Sequence, residues 1–539
     1  MYTKHASLAI VSLLFLFLIL FVYKSVNYMF SIPFHDFDEA HRAETAKRMK
    51  ENKSYFVPLT GSQFDRVDNL SRPFLPNPDL NLFYHLERPF LVYILMIAST
   101  TLFGSFEFAY RLPSFLLGIL TILTYFLFSK RANKNTSIFA LSLGGLALLT
   151  SSDLWLSSQY SQLDTGLTAF LFLSLLTLIE YAEKKRLPFL ILSGVSFALA
   201  VLSKGQPAII FLFPLITLFV LRKISLKDLL LFFVFSGIFL LPWVALLSLK
   251  FGFLRFMQIF IGFGFSSVER YSHQVAPVLW YGRWWFETLR PGWVLFIALF
   301  IIDSLSLKIE WKKLTLLSFI LGGLFVFSIQ TNKIWWYVLP LVPAIAFYIY
   351  LSSSEYLKQN SNKLISISLV ALLGSLPIFL NSTNKEVLIY GISITAVALV
   401  LIKTRVSSLF TFLYKYKEAV FFVSLLLSLS FFYYRFPKII PYHWETKEVA
   451  SYFSKLPGRN CLWVYDMPPE AALFYSNAGE VLAFNLEESK SLFSRSNRCD
   501  HYLITTNNID SKELSYIPQK EIVYQKGAIS LIRLRKNPY

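Results

Sequence analysis

Residues 8–28 read LAIVSLLFLFLILFVYKSVNY, and DFDEAHRAE follows at residues 36–44. The first stretch is apolar and long enough to cross a bilayer, which takes about 20 residues. The second packs carboxylates, cations and an imidazole at the exit of that span. If the apolar pattern recurs, the chain is a polytopic membrane protein and the charged stretch is either a solvated collar or an active site.

It does recur, as far as about residue 435. Of 539 residues, 55% are hydrophobic, 17% aromatic and only 16% charged, a balance too apolar for one soluble globule. Candidate spans are Leu8–Tyr28, Pro89–Phe103, Phe108–Phe128, Ser137–Ser152, Leu163–Ala182, Leu187–Leu202, Pro207–Leu221, Leu229–Leu249, Trp293–Asp303, Leu314–Ser328, Ile334–Leu351, Leu364–Leu380, Val387–Ile402 and Ala419–Tyr434. The first begins after a single Lys4 and lacks a small-residue cleavage site, so it reads as a retained span with the N-terminus in the cytoplasm.

The net charge of +18 sits largely in short loops between spans, as in Lys184-Lys185-Arg186. That is the signature of membrane orientation, and no soluble basic face interleaved with stacking aromatics points to nucleic acid. The basic loops Lys130-Arg131, Lys184 to Arg186, Arg222-Lys223, Lys312-Lys313 and Lys403 to Lys417 should all be cytoplasmic. Fourteen crossings violate this, whereas about thirteen satisfy it, with Pro89–Phe103 lying along or dipping into the outer leaflet. The same bookkeeping puts Asp36 to Arg88, Ser157 to Asp164, Phe251 to Arg290 and Thr331 to Lys333 on the outer side.

The expected fold class is therefore an all-α polytopic domain over residues 1–435 with a small soluble α/β domain over 436–539. The first outer loop, 31–88, opens with helix-forming composition at Asp38 to Lys50 and continues through a Pro- and Gly-containing middle, Leu59 to Leu82, that reads as loop or lid. The second outer loop, 250–290, is rich in headgroup-level aromatics. After Tyr434, strand-like runs (Cys461–Tyr465, Tyr502–Thr505, Glu521–Tyr524, Ile529–Leu534) alternate with helix-like ones (Thr446–Ser454, Glu470–Ser476). The only cysteines are Cys461 and Cys499; an oxidising outer compartment permits a disulfide without requiring one.

Ionisable side chains at membrane depth are costly unless paired or wet. The short list is Asp38, Glu87, Arg88, Asp164, Lys204, Arg270 and Lys333. Singly, each reads equally well as a solvated or snorkelling end residue; their shared side tips the balance toward a site. A carboxylate there can take the proton of an attacking hydroxyl, while Arg and Lys hold a leaving phosphate. The same carboxylates, Glu87 among them, can hold a divalent cation (Zn, Mg or Mn), but no paired His or Cys spacing marks a dedicated metal site. No Walker loop, Rossmann fingerprint or Gly-x-Ser-x-Gly elbow is present.

These residues resemble the GT-C membrane glycosyltransferases that use polyprenyl-phosphate sugars, especially the lipid A aminoarabinose transferases and the protein O-mannosyltransferases. Asp38-Glu39-Ala40-His41-Arg42-Ala43-Glu44 is similar to their Asp-Glu-x-Arg-Tyr-Ala-Glu, and Leu86-Glu87-Arg88-Pro89 to Phe-Glu-Lys-Pro. Arg111-Leu112-Pro113-Ser114, Leu163-Asp164-Thr165-Gly166, Leu202-Ser203-Lys204-Gly205 and Pro242-Trp243 follow in the family's order. Ser328, Lys333, Tyr337, Leu339-Pro340 and Pro343 resemble its Ser-x4-Lys-x3-Tyr-x-Leu-Pro-x2-Pro.

The resemblance implies an enzyme at the outer face of a bacterial inner membrane, monomeric, with its C-terminal domain periplasmic. It implies a polyprenyl-phosphate sugar donor and a lipid A-like glycolipid or protein acceptor. Asp38 becomes the catalytic carboxylate and Glu87 and Asp164 its supports, while Arg88, Arg270, Lys333, Lys204 and Tyr337 bind the donor phosphate. Glu39, His41, Arg42 and His273 are the candidates for substrate choice. His41 and Arg42 depart from the family's Arg and Tyr, and Arg88 from its Lys, a fork in place of a point charge. A transporter or flippase is the competing class; related halves and matched broken spans, which would favour it, are not seen in the sequence.

Overall fold

The computed structural model describes residues 4–34, 38–60, 74–77, 82–132, 137–270, 280–306, 309–329, 333–359, 364, 367–368, 370–372, 416–437, 444–458, 460–465, 470–476, 481–483, 500–506 and 519–535. Apolar residues on all sides make the long helices lipid-facing rather than merely amphipathic. In Lys4–Ser31 (α1), Leu8, Phe15, Leu16 and Ile19 point outward while Leu13, Phe17 and Phe21 are buried. Leu226–Phe251 likewise exposes Leu230, Phe233, Ile238, Phe239 and Leu241. Exposed apolar area of this extent belongs against a bilayer.

Seven described helices are long and apolar enough to cross a membrane. Ile138–Leu149 and Ser152–Gln159, bent by 52° at Thr150-Ser151, make an eighth if counted as one span. Gln206–Val220 and Arg290–Leu305 are apolar but shorter, and Leu341–Gln359 is a buried helix of 19 residues. The two remaining expected spans lie mostly (Leu364–Leu380) or wholly (Val387–Ile402) outside the described residues. Leu91–Phe103 (α3) has 13 residues, about 20 Å at 1.5 Å per residue, short of the roughly 30 Å hydrocarbon core.

Between α1 and α3 the sequence leads one to expect a helix and then a lid. Asp38–Glu51 (α2) is a helix. The expected loop instead holds a three-stranded antiparallel sheet, Leu59–Thr60 (β1), Phe74–Asn77 (β2) and Leu82–His85 (β3), in the order β1-β3-β2. Pro76 argues for a loop by composition, yet it sits in an edge strand, the sheet position where proline is tolerated. The second outer loop is also helical, at Phe253–Arg270 and Trp280–Thr288.

The C-terminal sheet has five strands: parallel Val481–Ala483, Asn460–Tyr465 and Asp500–Thr505, then antiparallel Ile529–Arg535 and Gln519–Lys526 at the edge. Thr446–Phe453 and Glu470–Ser476 cover it through Val449, Phe453, Ala472 and Leu473. Val481–Ala483, three residues long, carries too little periodicity to be read from sequence. Cys461 is disulfide-bonded.

Candidate active site

Helix α2 is polar, with alanine and Met49 as its apolar content, so tertiary contacts must hold it. Arg111, fully buried near the start of helix Glu107–Ala132 (α4), supplies them. Its Nε and Nη2 donate to Glu39 Oε1 and Oε2 at 2.7 and 2.9 Å. Its remaining N–H groups reach the carbonyls of Ile32 (2.6 Å), Pro33 (2.8 Å) and Met29 (3.1 Å), and Ser161 N donates to Glu39 Oε1 at 3.2 Å. A bidentate buried pair of this kind fixes orientation. Glu39, a candidate for substrate choice by sequence, is thus engaged by Arg111 on a face of α2 turned toward the membrane domain.

That anchoring leaves Asp38, His41 and Arg42 together on the next face, at the i, i+3, i+4 spacing. Arg42 Nη2 donates to Asp38 Oδ2 at 3.0 Å. The cations Arg42, Arg88 and Lys204 all act on Asp38: burial opposes its ionisation, but they hold the carboxyl below its usual range. His41 stacks edge-on against His85 with ring centroids 5.0 Å apart. Burial, then His85, Arg88 and Arg42, push the His41 imidazole well below its ordinary value, so it is neutral.

Strand β3 ends in His85 and delivers Glu87 and Arg88 to the same place. His85 Nε2 lies 2.8 Å from Glu87 Oε1, and Arg88 Nε 3.7 Å from it. Burial would raise the Glu87 carboxyl, but His85 and Arg88 more than offset it and its pKa is lowered. Arg88 in turn acts on Asp38 and Tyr337.

Helices Leu163–Lys184 (α7) and Leu187–Lys204 (α8) contribute the third pair, Asp164 with Lys204, both buried and hydrogen-bonded. Their approach depends on Gly166, where a Cβ would meet Ser203 Oγ at 2.7 Å and Val92 Cγ2 at 3.1 Å. Gly205, at φ +83°, ends α8 immediately after Lys204 in a conformation that favours glycine. Lys204 Nζ sits 4.7 Å from the centroid of the Tyr337 ring.

Three carboxylates and three cations therefore meet where α2, β3, α7 and α8 end. Arg42 Nη1, Glu87 Oε2 and Asp164 Oδ2 are buried there without a hydrogen-bond partner among the described residues. Such groups are rare because each costs free energy, about 1–3 kcal/mol. A ligand with both donors and acceptors would satisfy them.

Other expected site residues stand differently. Lys333 is half-buried before the short helix Trp335–Val338, and desolvation lowers its amine. Arg270 closes helix Phe253–Arg270 with its side chain outside the described residues, as is His273 entirely. No group of three or more His, Cys, Asp or Glu able to hold a metal occurs among the described residues; beside Glu87 stand one imidazole and a guanidinium, so we derive no metal step. Three further groups do not announce themselves in the sequence. His85 is the last residue of β3, and Glu87 lies in the turn that follows, so no strand alternation in the sequence pairs the two. Tyr93, buried on α3, faces Arg88. Buried Asp153 accepts from Trp284 Nε1 (3.2 Å) and Thr288 Oγ1 (3.0 Å), tying the bent pair to helix Trp280–Thr288.

Known proteins resemble this chain in both sequence and fold. Residues 87–248 match the profile of the dolichyl-phosphate-mannose-protein mannosyltransferase family. An uncharacterized protein of Aquifex aeolicus is 25% identical over 349 residues, covering 62% of each chain. The undecaprenyl phosphate-alpha-4-amino-4-deoxy-L-arabinose arabinosyl transferase of Wigglesworthia glossinidia brevipalpis is 24% identical over 356 residues, 61% of this chain and 57% of that one. The chain thus spans less than two thirds of the length of these curated relatives.

Among solved structures, ArnT from Cupriavidus metallidurans superposes with a TM-score of 0.66 over 96% of this chain and 97% of its own, at 16% identity in the apo state and 17% bound to undecaprenyl phosphate. The Archaeoglobus fulgidus oligosaccharyltransferase, in complex with Zn and sulfate, covers 92% of this chain and 67% of its own at a TM-score of 0.53 and 10% identity. The fold is that of the GT-C membrane proteins.

Proposed function

We propose that this multi-pass, GT-C-type glycosyltransferase moves a single sugar from a polyprenyl phosphate to a lipid A-like or other envelope glycolipid at the outer face of the bacterial inner membrane. The reading rests on one observation: three carboxylates and three cations meet at helix ends, Arg42, Glu87, Asp164 and Lys204 buried and Asp38 and Arg88 half-buried, with donors and acceptors unfilled. A sugar phosphate offers the matching chemistry, anionic oxygens for the cations and hydroxyls for the carboxylates. Undecaprenyl phosphate bound to ArnT, a protein of the same fold, supports the donor class.

In this mechanism Arg88 and Lys204, flanked by Tyr337, hold the donor phosphate, with Arg270 and Lys333 joining from the second loop and the turn after helix Trp311–Ile329. An acceptor oxygen attacks the anomeric carbon from the face opposite the phosphate. The new C–O bond forms as the old one breaks, the configuration inverts, and polyprenyl phosphate leaves with the charge absorbed by the cations. Asp38, ionised by its cationic surroundings, orients the acceptor and takes its proton where the acceptor is a hydroxyl; a phosphate acceptor arrives already deprotonated. Arg42 fixes Asp38, and its unfilled Nη1 faces the acceptor. The N-terminus is cytoplasmic, residues 436–539 form the periplasmic domain, and the protein acts as a monomer.

The second reading, transfer to protein, draws on the mannosyltransferase profile over residues 87–248. Mass spectrometry of lipid A and of outer-surface proteins, with and without the enzyme, separates the two. For the reaction itself, purified protein in detergent should release polyprenyl phosphate from a labelled polyprenyl-phosphate sugar, which a transporter does not do. Asp38→Asn should fold and lose activity by about 10²–10⁴-fold; a folded Asp38→Asn protein that turns over normally sinks the assignment.

A further inference from the structure

Helix α2 is gripped from a second side, by the C-terminal domain. Ala40, Ala43, Ala46 and Met49 recur every three residues along it and join Phe34, Tyr110, Ala471 and Phe474 in one buried cluster. The Phe34 ring meets Phe474 edge-on at 4.8 Å between centroids, and Tyr110 meets Phe474 at 5.4 Å. Phe34 N donates to the Tyr475 hydroxyl at 2.9 Å, and that hydroxyl donates to Glu107 Oε1 at 2.9 Å. Lys447 reaches the same Glu107 oxygen at 2.5 Å, and Lys47 Nζ on α2 donates to the Phe474 carbonyl at 3.1 Å. The chain entering α2 is therefore clamped at Pro33 by Arg111 from the membrane domain and at Phe34 by Tyr475 from the C-terminal domain.

We propose that Phe474 and Tyr475 are positioning residues for Asp38, so that the C-terminal domain sets the placement of the reacting carboxylate; this rests on Asp38 being the catalytic group. A helix of 14 residues whose apolar face is three alanines and a methionine is marginal by itself. The small face lets Phe474 and Phe34 close over it, and the hydroxyl of Tyr475 fixes where the helix begins. Displacement of a reacting group by about 1 Å costs on the order of 10²-fold in rate, so a loosened clamp is read in turnover before it is read in substrate binding.

The test is amide hydrogen exchange over residues 38–51 together with steady-state release of polyprenyl phosphate, in Phe474→Ala, Phe474→Leu and Tyr475→Phe. Phe474→Ala should raise exchange in 38–51 about tenfold and lower kcat by roughly 10–100-fold with KM within about twofold. Phe474→Leu should restore most of both. Tyr475→Phe, which keeps the ring, should raise exchange at the start of α2 and lower kcat a few-fold, and it decides the matter if Phe474→Ala loosens the sheet at 460–465 as well. Lys526→Ala, at the exposed Lys526–Glu448 pair, should move neither readout. Unchanged exchange and kcat in the folded variants overturns the proposal, and so does a rise in KM alone, which marks an acceptor surface instead. Exchange needs no substrate: if the unaltered protein releases no polyprenyl phosphate, the reaction reading fails while the clamp is still judged.

Discussion

Two charge clusters at helix ends in this protein use the same residue types and differ in what they leave over. At the ends of helices Trp311–Ile329, Arg290–Leu305 and Leu341–Gln359, Lys313 Nζ donates to Asp303 Oδ1 at 2.8 Å and to Glu355 Oε2 at 2.7 Å. The hydroxyls of Tyr348 and Ser352 fill Asp303 Oδ2 at 2.7 and 2.6 Å, and Lys312 takes Glu183 at 2.5 Å. Both Asp303 oxygens are occupied, a closed network of the kind that rigidifies a fold. At the α2 site, by contrast, Arg42, Glu87 and Asp164 each keep a buried polar atom without a partner among the described residues. Charge at helix ends is common to both; the unfilled atoms distinguish a site from a clasp.

Substitution should therefore have opposite signatures in the two. Arg88→Gln removes the fork proposed to hold the donor phosphate while its half-buried position tolerates the amide, and turnover should fall by about 10²–10³-fold, with the unfolding midpoint little changed. Asp303→Ala should do the reverse, costing about 1–3 kcal/mol of stability by orphaning the Tyr348 and Ser352 hydroxyls and removing one acceptor from Lys313, with kcat per folded molecule unaltered. Glu355→Gln, at a half-exposed carboxylate, should cost less than about 1 kcal/mol. Thermal unfolding and donor turnover measured on the same preparations decide all three. A stable Asp303→Ala protein with reduced turnover would erase the distinction.

Much of the site is legible in the amino-acid sequence alone. Hydropathy marks the spans because a bilayer imposes a length. Loop charge assigns a side to Asp38, Glu87, Asp164 and Lys204, and all four act on one another through Arg88 or directly. Glu39 is different, because sequence cannot say which of two adjacent helix carboxylates faces inward; that depends on Arg111, 72 residues away. Arg111 itself has a place in a motif that discloses no task. His85 stays hidden because a four-residue strand pairing with segments up to 25 residues away leaves no periodicity to count. Phe474 and Tyr475 lie in a domain whose contact with α2 spans more than 400 positions, a distance over which composition carries no signal.

The smallest expected effect concerns His41, whose neutral state is a product of the site rather than of its chemistry. Burial, His85, Arg88 and Arg42 all oppose its protonation. On unfolding it regains an ordinary pKa near 6.5, so between its folded value and that one the unfolded chain binds more protons. Stability must then rise with pH across this window and be lost on acidification. Asp38 and Glu87, with lowered pKa values, act in the same sense, but only below their ordinary 3.8 and 4.5. The two windows are separable: His41→Phe should flatten the fall in unfolding temperature between about pH 7 and pH 5 and leave the steeper loss below pH 4.5 in place. Among the described residues no histidine bonds to Asp303, so Asp303→Ala should lower the whole curve without changing its slope in the upper window. If His41→Phe leaves that slope unchanged, the folded imidazole titrates as it does in the unfolded chain and the site does not depress it; if His41→Phe steepens the fall, the site favours the protonated imidazole and carries one more positive charge than its geometry implies.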